Sequence, residues 1–194
     1  MVHILKIRAM RKIIAAINMT LDGHCDHTAI EPDEEIHRHY QELLESGGAI
    51  LYGRKTYELM EFWRTLLDTP SEDQSMNDFA VAIDRIPKVV FSETLEQVDW
   101  KTATLAKRDL SEVVHEFKQS KDEGCGDVYV GSRSLIIQLL DLNLIDEFQL
   151  CVHPVLAGGG LPLFENLTER KVMKLSKTKN FAGGAVILYY VPVE

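Results

Sequence analysis

Two glycine turns carry the residues best suited to chemistry, Gly53-Arg54-Lys55-Thr56 and Gly131-Ser132-Arg133-Ser134. Each follows an apolar run that reads as a buried strand, residues 48–52 and 127–130, and each opens a run with helical apolar spacing. A strand, a glycine turn and a helix together leave unpaired backbone N–H groups and the positive end of a helix dipole where an anion can sit. Arg54, Thr56, Ser132, Arg133 and Ser134 add side chains that can donate to phosphate oxygens. A lone glycine between strand and helix is most often only a turn. Two with this company could hold one dinucleotide.

The elements that must position these turns follow from the apolar pattern. Residues 11–19 read as a first, central strand, because Ile13 to Ile17 form a nearly continuous apolar run of the kind covered on both faces. Residues 34–45 place Ile36, Tyr40, Leu43 and Leu44 at helical spacing, with Asp33 as the cap. After the first turn comes a short helix with Tyr57, Leu59 and Met60, then an irregular surface excursion from Phe62 and Trp63 to Asp73. A helix over 77–84, strands at 88–91 and 103–105, and a helix with Leu110, Val113, Val114 and Phe117 on one stripe complete the middle of the chain. The second turn leads into a helix with Leu135, Ile136, Leu139 and Leu140. A strand over 147–155 and a hairpin over 171–179 and 185–191, turned at Gly183-Gly184, close the chain. Strand and helix alternate first and strands dominate last. The pattern predicts one α/β domain over 10–194, a mostly parallel mixed sheet with an antiparallel C-terminal edge hairpin and helices on both faces, preceded by an N-terminal extension, 1–9.

The chain of 194 residues carries a formal net charge of -9, so its long-range field repels nucleic acid and anionic membranes. An anionic ligand must therefore meet a local positive site, for which Arg54, Lys55, Arg85, Lys88 and Arg133 are candidates. Cys25, Cys125 and Cys151 are scattered and odd in number, which argues against a disulfide framework and for a reducing cytoplasm. No apolar run approaches the roughly 20 residues that span a bilayer.

Several segments resemble a known family. Gly53-Arg54-Lys55-Thr56-Tyr57-Glu58 is similar to a segment of dihydrofolate reductases, and Gly131-Ser132-Arg133-Ser134-Leu135 stands where that fold has its glycine-rich turn. Met19-Thr20-Leu21-Asp22-Gly23 and the run from His153 through Gly158-Gly159-Gly160 to Phe164 resemble the reductase domain of the bifunctional riboflavin-biosynthesis deaminase/reductase and its free-standing relatives. The resemblance runs from about Met10 to the C-terminus. It implies a dihydrofolate reductase-like, three-layer fold of about eight strands, NADPH as cofactor, and a small heterocyclic or sugar-like substrate reduced at a C=N or C=O group. It also implies a homodimer, with an exposed C-terminal edge strand as the pairing element.

By the same resemblance, Ala16 would meet the nicotinamide carboxamide, and Gly53, Arg54 and Thr56 the pyrophosphate, with Arg54 also near the adenosine 2′-phosphate. Ser92 would read that phosphate or the adenosine; Gly131, Ser132, Arg133, Ser134 and Leu135 would cradle the pyrophosphate from the other side. Asp22 would assist protonation, while Asn18 and Trp63 would border the substrate. The second turn departs from the family in keeping one glycine of three. The position of the pterin-gripping carboxylate falls near His37, which disfavours dihydrofolate. Two alternatives stay open: a nucleotide-binding protein that no longer catalyses, and the 5-amino-6-(5-phosphoribosylamino)uracil reductase of riboflavin biosynthesis.

Other constellations have plainer explanations. Asp22-Gly23 also suits a tight turn. His24-Cys25-Asp26-His27 are four consecutive residues that cannot all point at one ion, so no metal site is expected. His37 and His39 are expected to face solvent, and Trp63 with Phe62 to pack in the core or wall a cleft.

Overall fold

The computed structural model describes residues 10–120, 126–165, 167 and 169–193. The expected extension at 1–9 and Cys125 lie outside the described residues. β1 (Ile13–Thr20), β2 (Ala49–Gly53), β3 (Lys88–Phe91), β4 (Ala103–Leu105), β5 (Val128–Val130), β6 (Glu147–His153), β7 (Met173–Asn180) and β8 (Val186–Pro192) form one sheet in the order β4-β3-β2-β5-β1-β6-β8-β7. Neighbours from β4 to β6 pair in parallel, and β8 pairs antiparallel with both β6 and β7. This is the dihydrofolate reductase-like arrangement that the sequence implied, with the hairpin at one edge and Gly184 at a φ of +87° in its turn. A residue at such a φ is best a glycine.

Among the described residues the helices are α1 (Glu34–Ser46), α2 (Arg54–Met60), α3 (Phe62–Asp68), α4 (Gln74–Arg85), α5 (Leu110–Gln119) and α6 (Arg133–Asp141). Side chains alternate across a strand, so β1 serves two cores. Ile13, Ala15 and Ile17 pack with Leu110 and Val114 of α5 and with Leu135, Ile136 and Leu139 of α6. Ile14 and Ala16 pack on the opposite face with Leu43 and Leu44 of α1, Tyr57 of α2 and Ile83 of α4. Three layers result. Fully burying an aliphatic side chain such as Ile13 or Leu51 contributes about 1.5–3 kcal/mol.

Of the helices that begin at an aspartate, two are capped by its side chain: Asp33 Oδ1 accepts from Ile36 N at 3.0 Å, and Asp73 Oδ1 accepts from Ser75 N at 2.8 Å. The excursion expected after Phe62 is a helix, α3, through Asp68, and α4 starts three residues before the expected Asn77. Lys88 is not an anion-capturing residue. It is buried at the amino end of β3, the edge opposite the glycine turns, where Nζ donates to Ile86 O at 2.9 Å and Thr102 Oγ1 at 2.8 Å and sits over the Trp100 ring. Arg85, in the last turn of α4, lies toward that same edge. Among the described residues no helix is long and apolar enough to cross a membrane.

Candidate functional site

The connections from β2 and β5 diverge. The chain leaves β2 through α2, α3 and α4 to reach β3 on one side, and leaves β5 through α6 to reach β6, beyond β1, on the other. The helices that follow the two strands lie on opposite faces of the sheet. The carboxyl ends of β2 and β5 are therefore the topological switch point of the sheet, the place where open α/β sheets bind ligands. Both glycine turns sit there. Gly53 N donates to Ser132 Oγ at 2.8 Å, which ties one turn to the other.

α2 and α6, like α3 and α5, have no side-chain cap bond, whereas α1 and α4 do. The first N–H groups after Gly53 and Ser132 are thus left for an external acceptor. A Cβ added at Gly131 would come no closer than 3.6 Å to Ala16 O and 3.8 Å to Tyr52, ordinary contact distances. Internal packing does not require glycine at 131. The backbone there is left bare, as a turn approached by a phosphate group would need. The space beside Gly53 is tighter, with Ser134 Oγ 3.2 Å from the Cβ position.

The side chains of the turns behave differently from expectation. Arg54 Nη1 is paired with Glu58 at 3.0 Å on the exposed face of α2. Arg133 is partly buried, donates from Nε to Pro162 O at 2.6 Å and is ion-paired with Glu165. It fastens the 154–165 segment against the second turn in place of offering a free guanidinium. Leu135 is buried in the core, so only its backbone faces the turn. Thr56 is half-buried in the first turn of α2. Ser92, just past β3, accepts from Thr94 N at 3.1 Å and Leu95 N at 3.0 Å in a local turn.

Asp22 follows β1 at the same edge. Its carboxylate accepts from Thr20 Oγ1, from Gly158 N at 2.8 Å and from Ala157 N at 3.2 Å, and lies 3.4 Å from His24 Nδ1. Those bonds, with Thr20 the largest contributor and Gly158 next, hold the carboxyl well below the usual carboxylate range. These donors favour the ionised carboxylate of Asp22 over the acid form that would itself deliver a proton. Its place is that of a clamp joining β1 to the glycine loop, where Gly158 and Gly160 take φ values of +71° and +122°.

Two polar groups, one around Asn18 and one around His37, line the α1 side of this edge through contacts that the sequence did not reveal. Asn18 Oδ1 receives Tyr40 OH at 3.1 Å and lies 3.0 Å from His153 Nε2, with Cys151 Sγ 3.6 Å from the same nitrogen. His37, expected in solvent, is buried: its Nδ1 is 3.1 Å from Ser75 Oγ, which donates to Asp73 at 2.7 Å. Burial lowers the pKa of His37 and of His153, against the pull of nearby carboxylates. Trp63 meets Phe79 edge-on at 4.4 Å and His37 at 5.8 Å, forming an aromatic wall. The signal available in sequence was the pair of polar residues, Asn18 and Thr20, alternating at the end of a central strand; Thr20 pairs with His153 of β6. His39 is also buried, between Lys179 of β7 and Phe181, away from this wall. Among the described residues no cluster of three or more His, Cys, Asp or Glu side chains could hold a metal.

The family model of the RibD C-terminal domain matches residues 11–188, nearly the whole chain. The chain belongs to the RibD C-terminal domain family. It is 29% identical over 188 residues to the uncharacterized protein YyaP of Bacillus subtilis (strain 168), covering 93% of this chain and 94% of YyaP. The fold is similar to that of a riboflavin biosynthesis protein from Shewanella sp. PV-4, at a TM-score of 0.69 and 20% identity, over 94% of this chain and 99% of that one. A Thermotoga maritima diaminohydroxyphosphoribosylaminopyrimidine deaminase/5-amino-6-(5-phosphoribosylamino)uracil reductase matches at a TM-score of 0.63 and 17% identity, over 95% of this chain and 57% of that one. Within the RibD C-terminal domain fold, the two turns, the Asp22 clamp and the Asn18 cluster all lie along the carboxyl edge of the parallel strands.

Proposed function

We propose that the protein is an NADPH-dependent reductase of a small heterocyclic or sugar-like acceptor, pyrimidine-like by its family, that presents a C=N or C=O group. The observation that carries this reading is the pair of joined, uncapped turns at the divergence of β2 and β5, with Gly131 left bare where packing would accept a side chain. NADPH, when bound, supplies the reducing equivalent. The residues of this chain bind and orient. Backbone N–H groups after Gly53 and Ser132, with Thr56 and Ser134, would hold the pyrophosphate. Ala16 would meet the carboxamide, Ser92 the adenosine end, and Arg54 and Arg133 would add charge once released from Glu58 and Glu165. Asn18 and Trp63 would border the acceptor. Asp22 keeps the 157–160 loop closed over the edge, excluding water and positioning the reactants. The proton that completes the reduction then comes from solvent or another group.

A second reading, a nucleotide-binding protein without catalysis, is favoured by the second turn keeping one glycine of three and by His37 standing where a substrate carboxylate would be expected. Anaerobic incubation with NADPH and 5-amino-6-(5-phosphoribosylamino)uracil, the compound named for the Thermotoga relative, separates the two. Stoichiometric loss of NADPH absorbance supports the reductase; tight NADPH binding without turnover of this or a pterin acceptor supports the binder.

A further inference from the structure

Asn18 lies on the face of β1 that it shares with Ile14 and Ala16, beneath α1. β5, paired with β1 through Ala15 and Val130, ends beside it in the Gly131 turn. The Asn18 carbonyl oxygen can only accept, and His153 Nε2 stands 3.0 Å from it, so Nε2 must carry the hydrogen. Tyr40 OH donates to the same oxygen. With both donors on Oδ1, the amide can turn over only if the tyrosine hydroxyl and the histidine tautomer both reverse. Cys151 shares this cluster: its Sγ lies 3.6 Å from His153 Nε2 and is hydrogen-bonded to Tyr40, and because burial pushes its thiol up to about 12 it is a neutral partner to both. Asn18 Nδ2 has no partner among the described residues, and the side chain is half-buried at the candidate site.

We infer that Asn18 is a substrate-recognition residue whose side-chain N–H2, fixed by Tyr40 and His153, donates a hydrogen bond to a carbonyl oxygen or unprotonated ring nitrogen of the acceptor. This rests on the reductase reading and names the chemistry its acceptor must present. Tyr40 and His153 are positioning residues. They touch no ligand in this scheme; they decide whether the amide offers a donor or an acceptor.

The test uses 15N-labelled protein saturated with NADP+ and uracil as the carbonyl probe. The expected result is a His153 ring in the Nε2–H tautomer and a uracil-dependent shift of the Asn18 Nδ2 protons. Tyr40→Phe and His153→Leu should each weaken uracil binding about three- to tenfold, the worth of one net hydrogen bond. His153→Gln, which keeps a donor, should restore it, whereas a merely structural role would not distinguish glutamine from leucine. Should His153→Leu fail to fold, the wild-type tautomer and Tyr40→Phe still decide. An Nδ1–H tautomer, uracil binding that leaves the Asn18 amide unmoved, or no uracil binding overturns the inference. If NADP+ leaves the Gly53 and Gly131 amides unshifted while the tautomer and uracil results hold, the reductase reading fails and Asn18 stands as a donor to a carbonyl-bearing ligand that is not a hydride acceptor.

Discussion

Asp22 shows how one carboxylate changes meaning with its surroundings. Three donors and a nearby histidine hold it ionised and turn it from a candidate acid into a clamp on Ala157 and Gly158. Because its folded-state pKa lies below the ordinary value of 3.8, its contribution is fully present above that value and is lost as the pH falls through the lower, folded value. Asp22→Asn should therefore lower the melting temperature at pH 7, and the gap to wild type should close in strong acid; a gap independent of pH would remove the charge from the account. Glycines make a similar contrast. A Cβ at Gly126 would stand 1.9 Å from Ser46 O, so Gly126→Ala should destabilise by about 2–3 kcal/mol in a denaturant titration, unlike a change at the open Gly131 position. The glycine turns and Asp22 could be found in sequence because their chemistry is local. The Asn18 cluster could not, because Tyr40 and His153 reach it from elements 22 and 135 residues away.

At the scale of elements, apolar spacing located the parallel strands and the longer helices, since each carries a stripe facing one of the two cores. It missed α3 because that seven-residue helix buries none of its residues, so no stripe exists to read. It misjudged His37 and His39 because α1 is covered by more than the sheet. α4 brings Ser75 to His37, and β7 brings Lys179 Nζ to within 3.1 Å of His39 Nδ1, contacts that no spacing within α1 can announce. The aspartate caps, by contrast, are local. Asp33→Ala should cost about 1 kcal/mol of stability by chemical denaturation, since it frees Ile36 N at the start of α1.

Across the whole molecule, buried histidines set the acid limit. Burial, reinforced by Lys179, pushes the His39 pKa down to about 4, and His37 and His153 are also lowered from 6.5. The unfolded chain then takes up protons that the folded chain refuses, so stability should fall as the pH drops from about 6.5 toward 4. His39→Phe should flatten that slope in thermal melts; an unchanged slope would assign it to other groups. The sheet order has the larger consequence, since it places the switch point at the carboxyl ends of β2 and β5, and with a net charge of -9 any anion must be held by that local geometry. The central claim is most directly tested by titrating wild type and Gly131→Val with NADPH, following energy transfer from tryptophan to the nicotinamide. The account predicts saturable binding to the wild type, at least about tenfold weaker in a variant of unchanged melting temperature. Equal affinity in both proteins, or no binding to the wild type, would contradict it.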